Sequence, residues 1–248
     1  MAEVVRFNVA PVKSLALDHP EEIELTEHGV AGNRRFYLRS GGRLLNDKDC
    51  GALVRIRPSV DDGRLALAFP DGRVVAGEVA LGERVTTNFW GHRDVHGHVV
   101  EGPWAAVLSA YVGEELQLVR VDEQQSAVDI HVGTLVSRAS CERLGRELGA
   151  HIDARRFRML VEVDGVDAHA EDEWDRVRIG DAVVRVRGAV PRCAVTTHDP
   201  DTGVPTLDTL RGIKRYRGLR DRRWIDFGVY FDVERRGLVR VGDLVQPL

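Results

Sequence analysis

The sequence predicts a mixed α+β chain that is mainly antiparallel β. Three observations carry this: short β-prone runs fill most of the chain, tight-turn dipeptides join several of them, and helical periodicity is confined to a few stretches. Val4 to Val9, Arg35 to Leu38, Arg43 to Leu45, Arg64 to Phe69 and Arg73 to Val75 read as strands. Gly41-Gly42 and Asp71-Gly72 have the chemistry of tight hairpins. Further strands are expected at Val95 to Val100, Leu116 to Val119, Met159 to Val163, Ala182 to Arg187 and Tyr230 to Val233. Gly180-Asp181 and Gly242-Asp243 each lead into an apolar run, an echo that predicts paired strands closing a barrel. Helices are expected at Pro103 to Val112, where a proline suits the first turn, and at Ser137 to Leu148. In the latter Leu144 and Leu148 share a face and Gly149 is the stop. Thr206 to Tyr216 reads as a third helix and Lys48 to Ile56 as a short one.

A chain of 248 residues buries a large core as one domain or two small ones. No Ser/Pro-rich linker interrupts it, so two subdomains sharing an interface are expected, 1–90 and 91–248. A net charge of −4 gives no global basic field, so nucleic acid is not an expected partner. No apolar run reaches the roughly 18 residues of a membrane span, and no membrane partner is expected. Met1 to Phe7 goes straight into strand-like alternation without a signal-peptide apolar core, which predicts a cytoplasmic protein. Cys50, Cys141 and Cys193 are few, odd in number and widely spaced, unlike a disulfide framework.

No Gly-rich nucleotide loop, nucleophile elbow, Cys-x-x-Cys or His-Glu-x-x-His motif is present. His96-Gly97-His98 places two imidazoles on one strand face, better read as hydrogen-bonded histidines than as a metal pair. Pro191 to Gly203 is the most informative stretch. It sets Cys193 beside the guanidinium of Arg192, ahead of Thr196, Thr197 and an acidic Asp199-Pro200-Asp201-Thr202-Gly203 turn. A soft sulfur ligand next to anion-binding groups is what a redox metal on a phosphorylated cofactor requires. The same residues also fit a plain strand and turn with Cys193 as a small hydrophobe. Four other segments join it: Val9 to Ser14, Gly32 to Leu38, the basic cluster Arg155-Arg156-Phe157-Arg158, and the acidic turn Ala170 to Trp174. Taken singly, each reads as surface charge or core.

Taken together and in this order, they resemble the MOSC family, in particular its members with an N-terminal MOSC-associated barrel. The resemblance implies a MOSC-type β-barrel packed with a smaller N-terminal β-barrel subdomain and a few inserted helices. It implies a molybdenum–molybdopterin cofactor with Cys193 as the catalytic thiolate on the metal. A free cysteine near pKa ~8.5 is only a few per cent thiolate at neutral pH, and a bound high-valent metal would deprotonate it outright. By family position, Lys13, Ser14, Arg35, Arg158 and Arg192 would bind the cofactor and its phosphate, and Asp129 would accept from a pterin N–H. Thr196, Thr197 and Asp199 would shape the loop, while Glu171 and Asp172 would orient the basic cluster. Pyridoxal phosphate is not expected. One departure is that Leu160 stands where family members commonly carry an asparagine amide.

The activity implied is molybdenum-dependent reduction of small N-oxygenated compounds: hydroxylamines, amidoximes and N-oxides. Electrons would come from a separate donor protein of ferredoxin, flavoprotein or cytochrome type. Two other functions share these residues: a persulfide carrier using Cys193, and a non-catalytic cofactor-binding protein.

Overall fold

The computed structural model describes all 248 residues. It is mostly antiparallel β with three α-helices, α1 (Trp104–Val112), α2 (Arg138–Leu148) and α3 (Thr209–Arg217). The largest sheet has seven strands. Their order is Glu3–Phe7, Val161–Asp164, Gly133–Ser137, Asp226–Arg235, Ala182–Pro191, Arg176–Ile179 and Val245–Pro247. Its two edges meet. Glu3 bridges Leu244, Val4 N donates to Asp243 O at 2.9 Å, and Val245 N donates to Ala2 O at 2.9 Å. Such closure satisfies edge groups that would otherwise seek another chain. The echo of Gly180-Asp181 and Gly242-Asp243 falls at this seam, where Ile179 pairs with Val245.

One pair in this sheet is parallel, Gly133–Ser137 with Val161–Asp164. A parallel pair needs a crossover, and α2 supplies it. Ser137 caps the helix by accepting from Ser140 N, and Gly149 ends it in the left-handed conformation. The barrel interior holds Val4, Phe7, Leu135, Val161, Val163, Val184, Val229 and Phe231, all nearly inaccessible to water. Leu160 packs in this same core, and Trp174 lies against it.

A second, five-stranded sheet runs Arg43–Leu45, Phe36–Ser40, Gln117–Val121, Arg93–Glu101 and Ala80–Phe89. A three-stranded meander of Arg57–Asp61, Arg64–Ala68 and Val74–Glu78 completes the curled half-barrel whose core includes Trp104, Phe36 and Leu108. Both larger sheets draw strands from either side of residue 90. The predicted hairpins form: Gly41 and Gly42 are both left-handed between Ser40 and Arg43, and Gly72 is left-handed between Ala68 and Val74. The short helix expected over Lys48 to Ile56 is the 3₁₀ segment Gly51–Arg55. Glu22–Thr26, Ala80–Phe89 and Gly237–Arg240 are further strands; Glu22–Thr26 alternates polar and apolar residues, and its Ile23 and Leu25 are buried.

A cleft between the sheets

One cleft opens where the seven-stranded barrel meets the half-barrel. It spans about 960 Å³, a figure that includes the open solvent at its mouth. Asn8, Lys13, Ser14, Arg34, Asp47 and Trp90 come to it from the N-terminal half. Asp129, Arg158, Leu160, Arg192, Cys193 and Tyr230 come from the remainder.

Lys13 is placed by a short parallel bridge of Val12 to Phe36, in which Lys13 N donates to Phe36 O at 2.8 Å. Its buried ammonium donates to Asp129 Oδ1 at 2.9 Å and to Ala127 O at 3.1 Å. Burial pulls the Lys13 ammonium below its ordinary range, and the Asp129 charge opposes this. Burial alone would raise Asp129, yet the charges of Lys13 and Arg34, with hydrogen bonds from Lys13 and Trp90, hold it well below the usual carboxylate range. Ser14 Oγ donates to Asp47 Oδ1 at 3.3 Å. The other oxygen of Asp47 faces Arg158 Nε at 3.4 Å, and Arg158 Nη2 donates to Leu15 O at 2.6 Å.

Arg192 lies beneath the thiol segment. Its Nη2 donates to Phe157 O at 2.6 Å, and its guanidinium carbon sits 5.3 Å from the Phe157 ring centroid. Burial lowers the Arg158 and Arg192 guanidinium pKa values, and both remain cations at neutral pH. Cys193 is free and exposed. The turn after it is tied down. Thr196 Oγ1 donates to Cys193 O at 3.1 Å and Thr197 Oγ1 to Ala194 O at 2.7 Å. Asp199 Oδ1 accepts from Asp201 N, Thr202 N and Thr202 Oγ1.

Backbone strain collects at this site. Eight non-glycine residues have φ in the left-handed region, and four of them, Ser14, Arg34, Trp90 and Arg158, line the cleft. Such conformations cost of order 1–3 kcal/mol each and persist where the surroundings impose them. Half of them share this one cleft, which makes it the candidate site. Four buried polar atoms on its residues also make no hydrogen bond: Asn8 Oδ1, Asn46 Nδ2, Asp47 Oδ2 and Arg192 Nε.

A profile of the MOSC N-terminal beta barrel domain matches residues 1–115, and one of the MOSC domain matches residues 127–246. The chain belongs to the MOSC family. Among curated relatives, human "Mitochondrial amidoxime-reducing component 1" is 36% identical over 138 residues, 53% of this chain and 41% of that protein. Human "Mitochondrial amidoxime reducing component 2" is 39% identical over 121 residues, 45% of this chain and 35% of that protein. The matched region thus spans about two-fifths of the relatives' length or less. Among solved structures, the YUAD protein of Bacillus subtilis is 12% identical with a TM-score of 0.47, covering 98% of this chain and 93% of that one. No helix of this MOSC protein is long and apolar enough to cross a membrane.

Of the residues singled out in the sequence, Lys13, Ser14, Asp129, Arg158, Arg192 and Cys193 line the one cleft. Arg35 does not. Its guanidinium turns to the backbone carbonyls of Glu123 and Gln125, at 3.0 and 2.7 Å, and so braces the segment leading to Asp129. Arg34 lines the cleft in its place, because its left-handed φ redirects the side chain before the strand begins. Glu171 and Asp172 do not touch the basic cluster. Glu171 Oε1 accepts from Ser137 N and Ser140 Oγ at the start of α2, and Asp172 pairs with Arg217. The cluster's partners are instead the turn after Cys193. Arg155 pairs with Asp153 and Asp201, and Arg156 donates to Thr197 O and Thr206 Oγ1. Asn8, Asp47 and Tyr230 also line the cleft and were not legible in the sequence. Only the Trp90-Gly91 dipeptide, where a turn favours Asn-Gly, carried a local signal.

Proposed function

We propose that this MOSC protein reduces small N-oxygenated compounds, hydroxylamines, amidoximes or N-oxides, using a molybdenum–molybdopterin cofactor with Cys193 as its protein ligand. One observation carries the reading: the exposed thiol of Cys193 and the cations Lys13, Arg34, Arg158 and Arg192 share one cleft. The donor set fits such a cofactor. Four cations face two carboxylates, Asp47 and Asp129, leaving about two positive charges uncompensated, which matches a phosphate monoester near neutral pH. Asn46 Nδ2 and Arg192 Nε are buried donors awaiting an acceptor. Soft sulfur suits a metal that prefers thiolate.

When bound, the metal centre would supply the removal of oxygen from nitrogen, two-electron chemistry that no side chain here provides. The chain's residues do the rest. Lys13, Arg34 and Arg158 bind and orient the anionic end, with Ser14 as a hydroxyl donor. Asp129, kept ionised by Lys13, accepts from a ring N–H. Arg192 holds the thiol segment against Phe157. For a hydroxylamine, two electrons and two protons break the N–O bond to give the amine and water. The electrons come from a separate donor protein of ferredoxin, flavoprotein or cytochrome type.

The test is molybdenum and pterin analysis of protein made in a host that synthesises the cofactor, beside Cys193→Ser, followed by assay on an amidoxime. Near one metal and one pterin per chain, metal loss in the variant and turnover in the wild type are expected. Protein without metal or pterin would overturn the reading. Sulfur added to Cys193 by a desulfurase would then favour the carrier alternative.

A further inference from the structure

Trp90 breaks a local rule and gains nothing locally from doing so. The turn Phe89 to His92 is closed by His92 N donating to Phe89 O at 2.9 Å. Both central residues are left-handed, Trp90 with φ +59° and Gly91 with φ +78°. Such turns favour Asn-Gly, Asp-Gly or Gly-Gly, and a bulky side chain at φ > 0 is an outlier. Trp90 is 47% exposed. Rule-breaking without local compensation is expected at functional positions.

The indole is nevertheless held still. Nε1 donates to Asp129 Oδ1 at 2.8 Å, the same oxygen that accepts from Lys13. Lys48 Nζ lies 5.6 Å from the ring centroid. The result is a fixed, open aromatic surface at the mouth of the cleft that contains Cys193. A rigid exposed indole offers a ring partner large contact area at little entropic cost. The adjacent exposed ammonium favours a partner carrying negative charge.

We propose that Trp90 and Lys48 form a binding subsite for a planar aromatic ring, favoured when that ring bears a carboxylate. The ring is the substrate's own, so the subsite selects aryl over alkyl N-oxygenated compounds. This rests on the reductase reading above. It goes beyond it by naming a substrate class and the residues that choose it.

The test compares the cofactor-loaded wild type with Trp90→Leu, Trp90→Phe and Lys48→Gln, using a phenyl, a 4-carboxyphenyl and a methyl amidoxime. In Trp90→Leu the aryl-over-alkyl preference in KM should fall roughly three- to tenfold, the range one aromatic pair supplies. Trp90→Phe should restore most of it, which separates ring recognition from hairpin damage. Lys48→Gln should raise KM for the carboxylated ring more than for the plain one. Aryl ligands should quench a tryptophan emission component that Trp90→Leu lacks. An unchanged aryl preference in Trp90→Leu overturns the proposal. Lowered molybdenum and pterin content in Trp90→Leu, with the loaded fraction keeping the aryl preference, also overturns it, since the ring bound there would be the cofactor's pterin. If the wild type reduces none of the three, the reductase reading fails separately. Saturable quenching by the carboxyphenyl compound would then still support the subsite, and its absence would overturn it.

Discussion

The Cys193 segment and the floor of Lys13, Ser14, Arg34, Asp47 and Arg158 face the same cleft but are held by different forces. The thiol segment is a continuous stretch whose hydroxyls and Asp199 bond to its own nearby backbone, with Arg155 and Arg156 clamping it from outside. The floor comes from four distant segments, and its members depend on opposite charges and left-handed backbone. Chemical reactivity and structural tension are therefore separated. The side chain expected to touch the metal is exposed and carries little of the fold, whereas those expected to touch the phosphate are embedded in it.

Cys193→Ala tests one side of that contrast. Turnover should fall by more than the about 100-fold typical of lost outer-shell metal partners. The unfolding free energy of cofactor-free protein should stay within about 0.5 kcal/mol, as for other exposed positions. A large stability loss in urea would show that the thiol segment is not the separable part. Arg158→Ala tests the other side. It leaves the carboxylate of Asp47, itself 5% exposed, without its cation. Stability should fall by about 3 kcal/mol even without cofactor, because a lone buried charge is strongly unfavourable. Denaturant titration of the cofactor-free variant reads this directly.

A third change sharpens the comparison where the two regions touch. Gly51 in the N-terminal half and Gly203 in the acidic turn approach so closely that a Cβ on either would overlap the other's backbone. Gly203 is also left-handed. Gly51→Ala should cost about 1–3 kcal/mol, the range of overpacking. It should also expose the turn to protease more than it lowers the global melting temperature. Equal losses in both measurements would mean that the turn and the floor unfold as one unit.

The smallest effect is electrostatic. The folded-state pKa of Asp129 lies below its unfolded value. Its contribution is therefore fully present above the unfolded value near ~4 and is lost as pH falls toward the folded one. Asp129→Asn should flatten the stability profile below about pH 4. The difference should be under about 1 kcal/mol, because Asp129 is 40% exposed and water screens the pair. An unchanged acid limb would show that Lys13 does not depend on this carboxylate.

His169 offers a control outside the cleft. Burial, and then the nearby Arg217 charge, lower it to about 4. The unfolded chain then binds the extra proton first, so stability should decline as pH falls from about 6.5 to about 4. Replacement by Asn, which tolerates the left-handed φ of +67° there, should remove that slope without altering cofactor binding.

Contiguity decided what could be read in advance. Alternation, turn dipeptides and helix stops are short-range signals, so the β-rich class, the three helices and the Gly-Asp seam were legible from residues a few positions apart. Cys193, with its arginine and hydroxyls, was legible for the same reason. Lys13, Ser14 and Arg158 became legible as a set only through family resemblance. The tertiary structure alone decided that the N-terminal strand seals the barrel of residues 133–247, which depends on pairing across nearly the whole chain. It also chose Arg34 over Arg35, since a single left-handed residue reverses which neighbouring side chain enters the cleft. The pairings of Arg158 with Asp47 and of Trp90 with Asp129 were likewise set by folding. Charges and strain of this kind depend on where distant backbones meet, and no local pattern in the chain records that.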